Sequence, residues 1–227
     1  MSGAGAVETQ ARRTLPLQVV IDVICPWCYI GKRSLDLARE RLAAQGLDVE
    51  VEWLPYLLNP SMPVEGMDRK AFRSARFGWD VALEMDARAA DAGCHVGAHI
   101  DYTHQHRTPN TIAAHALIRL ARIEGGAALQ ERLVDALFVD YFAKGGDIGD
   151  ADVLERIATE VGMGQGALQR SIPHRGDIPS LASAIRDLGL SGVPSYLANG
   201  RLLFSGSQDV EGYVRRLLRV ADDLVAA

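Results

Sequence analysis

Cys25 and Cys28 are separated by Pro26 and Trp27 and lie where an apolar run, Leu17 to Ile24, gives way to a helical pattern. Two thiols at this spacing can close into a small disulfide ring and reopen. A cysteine at a helix N-terminus meets unpaired backbone N–H groups and the positive end of the helix dipole, and both favour its thiolate. That thiolate attacks a disulfide, and the second thiol resolves the mixed disulfide. Other uses of the pair stay open at this point. A zinc site needs about four ligands, and the pair has only Cys94 and the histidines to draw on, with no second C-x-x-C in the chain. A purely structural disulfide belongs to secreted chains, and two inert core thiols would be poorly served by a Pro-Trp pair at a helix start. The favoured reading is a redox-active pair.

Several neighbours bear on that chemistry. Asp22 interrupts the apolar run three residues before Cys25. A buried carboxylate there could relay a proton for Cys28, or it could accept backbone hydrogen bonds and hold the loop. Trp27 and Tyr29 could form an apolar lip for a substrate, and Lys32-Arg33 reads as a solvated basic pair. Cys94 reads as a small buried hydrophobe. The stretch Cys94-His95, His99, His104, His106 is rich in ligand types but irregular in spacing, so no metal is expected. His115, on an apolar helix, reads as a core or interface residue.

The elements that must position the pair follow from periodicity. Leu17 to Ile24 is Val/Ile-rich and nearly continuous in apolar character, as in a strand buried on both faces. Pro26 suits a first helical turn, where its missing N–H costs nothing. Helical spacing runs from Trp27 to Ala44, and Gly46 stops it. Val49 to Leu54 alternates as a second strand. The resulting β-α-β unit should be right-handed with parallel strands. Helical patterns then span Arg69 to Gly93, Asn110 (as N-cap) to about Glu124, Ala128 to Lys144, Asp150 (as cap) to Val161, and Gln165 to Arg170. Residues 66–174 show no convincing strand. Asp177 to Leu188 is helical again. Ser195 to Ala198 and Arg201 to Phe204 form a hairpin through Asn199-Gly200. A last helix, capped by Ser207 or Asp209, runs to about Val225. The expected organisation is a disordered tail over 1–14, one α/β domain split between 15–65 and 175–227, and an inserted helical domain over 66–174. A strand followed by C-x-x-C at a helix start reads as a thioredoxin-like redox site.

The 227 residues can bury one or two cores. At 48% hydrophobic and 23% charged, with a formal net charge of -5, nothing invites nucleic acid or an anionic membrane. Basic residues gather only in short pairs such as Arg12-Arg13, Lys32-Arg33 and Arg215-Arg216. Met1 to Gln10 is small and polar, without a charged start or an apolar run, which leads to the expectation of a cytoplasmic protein.

The order strand, C-P-x-C, helix, strand, helical insertion, helix, Val-Pro, hairpin, helix resembles the DsbA-like branch of the thioredoxin superfamily. Finer matches resemble its FrnE-type subgroup: Asp22-Val23-Ile24-Cys25-Pro26-Trp27-Cys28-Tyr29-Ile30-Gly31-Lys32, Leu58-Asn59-Pro60 with Met62-Pro63, Asn110-Thr111 with Ala114-His115, Tyr141-Phe142 with Asp147-Ile148, and Gly192-Val193-Pro194-Ser195. The likeness spans residues 17 to 220. It implies an α/β, thioredoxin-like fold with a large helical insertion, and a thiol–disulfide oxidoreductase or isomerase. Cys25 would attack, Cys28 would resolve, and Pro194 would be the cis-proline beside the dithiol, leaving the Val193 backbone to pair with an extended substrate. The resemblance favours the structural role for Asp22. It implies no bound cofactor, a disulfide-containing protein or small molecule as substrate, glutathione or a thioredoxin-type dithiol as reductant, and a monomer or homodimer. Trp27 stands where the DsbA dipeptide often has His, and a neutral indole cannot stabilise a thiolate as an imidazolium could. The branch also holds hydroxychromene-carboxylate isomerases and kappa-class transferases, so a glutathione-dependent small-molecule reaction, in the setting of polyketide metabolism, is the alternative. In that case Ser207 and Gln208, at the start of the last helix, could take a glutathione carboxylate, with simple capping preferred.

Overall fold

A computed structural model describes residues 12–190 and 192–226. The chain runs β1 (Arg13–Ile21), α1 (Pro26–Ala44), β2 (Leu47–Pro55), β3 (Met67–Asp68), α2 (Arg69–Phe77), α3 (Trp79–Cys94), β4 (Arg107–Thr108), α4 (Ile112–Ala143), α5 (Ala151–Glu160), α6 (Ala167–Arg175), α7 (Asp177–Asp187), β5 (Ser195–Ala198), β6 (Arg201–Ser205) and α8 (Val210–Ala226). The main sheet has the order β2-β1-β5-β6, with β1 and β2 parallel and the other pairings antiparallel. Fold class and β-α-β unit are as the sequence implied.

Alternation along β1 explains the layers. Leu15, Leu17, Val19 and Ile21 share a core with Leu35, Ala38 and Leu42 of α1 and with Tyr213 and Leu217 of α8. Val20 points to the opposite face, where it packs with Leu197 and with Ile185 of α7. Strand side chains project with period two, so one sheet separates two apolar layers.

Several boundaries differ from those expected. β1 starts at Arg13, where its parallel pairing with β2 begins at Leu47, and it can include Pro16 because β5 reaches only Gln18, Val19 and Val20. At Pro16 that flank carries no strand to receive an N–H. Arg13 and Thr14 therefore belong to the sheet, and Arg12 pairs with Asp48 at 2.8 Å; the rest of the expected tail lies outside the described residues. The strand ends at Ile21, so Asp22 sits just beyond it rather than within it. The span 66–174 does contain strand: β3 and β4 pair through Met67–Thr108 and Asp68–Arg107. Gly78, at φ 81°, divides Arg69 to Cys94 into two helices. α4 opens after Thr111, with the Asn110 side chain accepting from Ile112 N–H at 3.0 Å. The expected break at Gly125-Gly126 is present inside α4, where Gly126 takes φ 67°, ψ -159°, a backbone region open essentially to glycine alone.

β2 is an edge strand, and α4 covers it. The Gln130 amide accepts from Trp53 N–H at 3.0 Å and donates to Trp53 C=O at 3.0 Å, imitating the missing strand. Gln130→Leu strands two buried backbone groups, and the expected loss is about 2–4 kcal/mol of unfolding free energy, read from denaturant midpoints.

Candidate active site

Cys25 is the N-cap residue of α1, with extended backbone (φ -88°, ψ 114°), and Pro26 opens the helix. The geometry follows from local chemistry: proline needs no hydrogen bond in the first turn, and a short turn, closed by Cys25 N–H donating to Asp22 C=O at 2.9 Å, delivers the chain from β1. No acidic residue sits in the first helical turn. The N-terminal dipole therefore acts on Cys25 without opposing charge from its own helix.

The two thiols have different surroundings. Cys25 is 5% exposed and Cys28 only 1%; both are free. Burial pushes the Cys28 thiol well above its ordinary range, and its contact with Cys25 adds to this. Across from the pair, the Val193-Pro194 peptide bond is cis, and the Cys25 thiol donates to Val193 C=O at 3.8 Å. The helix comes this close because residue 31 is glycine: a β-carbon there would lie 2.9 Å from Tyr196 Oη, 3.1 Å from Tyr213 Oη and 3.3 Å from Pro194 Cγ.

Asp22 is fully buried. Its carboxylate accepts from Leu58 N–H at 2.8 Å and from Ile24 N–H at 3.5 Å, tying the loop after β2 to the turn that carries Cys25. His115 Nε2 lies 3.5 Å from Asp22 Oδ1, without the alignment of a hydrogen bond.

A cavity of about 620 Å³ opens beside Cys25. Cys25, Pro26 and Trp27 line it together with Gly192 and Val193 and with residues of α2 and α3. Trp27, 44% exposed, stands at this opening as expected.

Other expected site residues lie elsewhere. Tyr29 is no lip: it is 1% exposed and stacks on Phe138 and Phe142 with ring centroids 5.3 and 5.7 Å away. Two residues beyond Trp27 on a helix, it faces α4 rather than the opening. Lys32 is not solvated; it is buried between Asp36 (2.7 Å), Glu131 (2.9 Å) and Asp135 (3.3 Å). Burial alone would lower its pKa, and the three carboxylates outweigh burial and raise it. Ser207 and Gln208 do not line the cavity. Asp209 caps α8 by accepting from Gly212 N–H at 2.6 Å, and Gln208 donates to the Gly206 carbonyl at 3.1 Å. Cys94 is exposed, contrary to expectation, because it ends α3. Among the described residues no group of three or more His, Cys, Asp or Glu side chains could hold a metal ion, and no helix is long and apolar enough to cross a membrane.

One cluster escaped the sequence reading. Arg69, Arg73 and Arg76 of α2, with Arg88 of α3, all line the cavity, although basic residues were expected only in short pairs. The signal was present: spacings of four and three place the first three on one helical face, and Phe72 and Phe77 interleave with them.

Comparison with known proteins agrees with this architecture. A Bacillus subtilis (strain 168) protein, YwbO, is 26% identical over 189 residues, covering 81% of this chain and 86% of YwbO. A probable DsbA oxidoreductase from Streptomyces coelicolor superposes with a TM-score of 0.77 at 20% identity, covering 90% of this chain and 89% of that one. The cytosolic disulfide reductase DsbM from Pseudomonas aeruginosa, solved with GSH, gives 0.60 at 18% identity (93% and 98%). A 2-hydroxychromene-2-carboxylate isomerase gives 0.64 at 12% identity (92% and 99%). These structural likenesses speak for the fold. The profile of the DSBA-like thioredoxin domain matches residues 17–218, and the chain belongs to that family.

Proposed function

We propose that this protein is a thiol–disulfide oxidoreductase or isomerase in which Cys25 attacks a substrate disulfide and Cys28 resolves the mixed disulfide. The observation that carries this reading is the asymmetry of the pair: Cys25 lines a large cavity at a helix N-cap, while Cys28 is sealed behind it. An attacking thiolate needs access and a positive field, and a resolving thiol needs only its neighbour. The contact between the Cys25 thiol and the Val193 carbonyl supports a substrate-docking role for that loop, because this carbonyl can accept from an extended chain laid beside Cys25. Asp22 fits the structural role, with both backbone donors bound to its carboxylate.

Two glutathione molecules in succession, or one dithiol, would return the Cys25–Cys28 disulfide to the reduced state. In a reducing cytoplasm, the location favoured here, net flow would run toward reduction or isomerisation. The likeness of its motifs to the FrnE-type subgroup supports a kinship with that subgroup. Equilibration in glutathione buffers of graded potential, followed by alkylation and mass measurement, tests the reading. The expected result is a reversible loss of two free thiols, absent in Cys25→Ser and in Cys28→Ser. A pair that stays reduced at every potential would overturn it.

A further inference from the structure

We propose that the cavity beside Cys25 selects small disulfides that carry a carboxylate on an aromatic or otherwise apolar body. This rests on the exchange reading and names its substrate class. Four guanidinium groups line the cavity, from Arg69, Arg73, Arg76 and Arg88, against one carboxylate, Asp86. Asp86 is committed within the protein: it accepts from Arg69 at 2.7 Å and from Arg73 at 2.9 Å. Arg69 is further fixed by Gln105 at 2.9 Å and lies under the Tyr102 ring, 4.5 Å from its centroid. One carboxylate shared by two guanidinium groups leaves a positive wall. Arg76 binds the neutral Asn59 amide oxygen at 2.8 Å, and both Arg76 and Arg88 are exposed at the cavity's rim. Their charge is available to a ligand.

Most of the remaining lining is apolar or aromatic, with Asn59, Gln105 and Thr108 as the polar exceptions. Phe72 and Phe77 of α2, Met85 of α3, Trp27 and Phe142 all belong to it. Apolar walls with a few convergent charges are the composition of a small-molecule pocket, and guanidinium groups bind carboxylates through paired, charge-assisted hydrogen bonds. The formal net charge of the whole chain is -5. At long range the protein repels anions, so a preference for them must come from this local cluster.

The chemistry balances as two exchanges. The Cys25 thiolate attacks one sulfur of the disulfide, the S–S bond breaks, and the first thiolate leaves. Cys28 then loses its proton to solvent base and attacks Cys25 Sγ, expelling the second thiolate. The substrate gains two electrons and the protein becomes a Cys25–Cys28 disulfide.

Reduced protein in single turnover supplies those electrons, with Cys94→Ser as the common background because Cys94 is exposed. The anionic aromatic probe is 5,5′-dithiobis(2-nitrobenzoate), and the neutral one is 2,2′-dithiodipyridine. Arg76→Gln with Arg88→Gln is expected to slow thiol release from the anionic probe roughly tenfold and from the neutral probe less than twofold. Raising ionic strength should slow the anionic probe with the arginines in place and flatten once they are gone. Equal slowing of both probes, or of neither, overturns the carboxylate preference while leaving disulfide exchange standing. No thiol released from either probe overturns the exchange reading and this proposal with it.

Discussion

Cys28→Ser is expected to stop the reaction halfway and leave the substrate covalently attached to Cys25. Cys25 lines the cavity and remains free to attack, whereas the second displacement loses its nucleophile. In a Cys94→Ser background, which removes the exposed third thiol, exposure to an excess of oxidised substrate should give one adduct per chain by intact mass, removed by dithiothreitol, and Cys25→Ser should show none. Turnover in Cys28→Ser should fall by roughly a hundredfold or more, since a serine hydroxyl cannot displace a thiolate at neutral pH. Wild-type kinetics should reveal the same asymmetry through pH. Burial, reinforced by the neighbouring Cys25, holds Cys28 as a thiol well above its ordinary range. Resolution requires its thiolate, so the second phase of single turnover should quicken by up to about tenfold per pH unit across neutral and mildly alkaline pH. That phase should vanish in Cys28→Ser. Normal turnover by Cys28→Ser would exclude the dithiol mechanism and favour the glutathione-dependent reaction, which needs only one thiol.

What the sequence made legible was local. Pro26 at a first helical turn placed Cys25 at the N-cap; Asn199-Gly200, both at positive φ, fixed the last hairpin. The apolar run before the cysteines gave β1, although pairing with β2 extended it back to Arg13. What stayed hidden depends on partners far along the chain. Helical spacing cannot say that Tyr29 faces Phe138 and Phe142, or that Lys32 meets Glu131 and Asp135, because those residues lie about a hundred positions away. The β3–β4 pair joins segments some forty residues apart, each two residues long, too short for any periodicity to register. The arginine wall is the intermediate case. Its spacing on α2 is visible, but only the packing of α2 and α3 beside Cys25 turns a charged helical face into the lining of a cavity.

Stability should collapse above about pH 10. Burial pushes the phenols of Tyr102, Tyr141 and Tyr196 well above the usual range and that of Tyr213 up to about 12. Tyr196 and Tyr213 are hydrogen-bonded to each other beside Gly31, and the charge of Asp86 adds to the shift of Tyr102. In the unfolded chain these phenols lose their protons near pH 10 and the Cys28 thiol near pH 9. The folded protein therefore binds more protons than the unfolded one above those values. The stability these groups contribute is complete below pH 9 and is lost as pH rises through the window toward 12. Each phenol kept neutral costs about 1.4 kcal/mol per pH unit beyond its unfolded value, so the four together cost on the order of 5 kcal/mol by pH 11. A typical domain has about 5–15 kcal/mol in all. Denaturant midpoints measured from pH 8 to 11 should fall steeply beyond pH 10, and tyrosinate absorbance near 295 nm should rise in step with unfolding rather than ahead of it. Tyr196→Phe removes one of the four groups and should make the decline shallower. A midpoint unchanged between pH 9 and 11 would mean that these phenols reach solvent in the folded protein, and the tight packing of Tyr196 and Tyr213 against the dithiol helix would have to be abandoned.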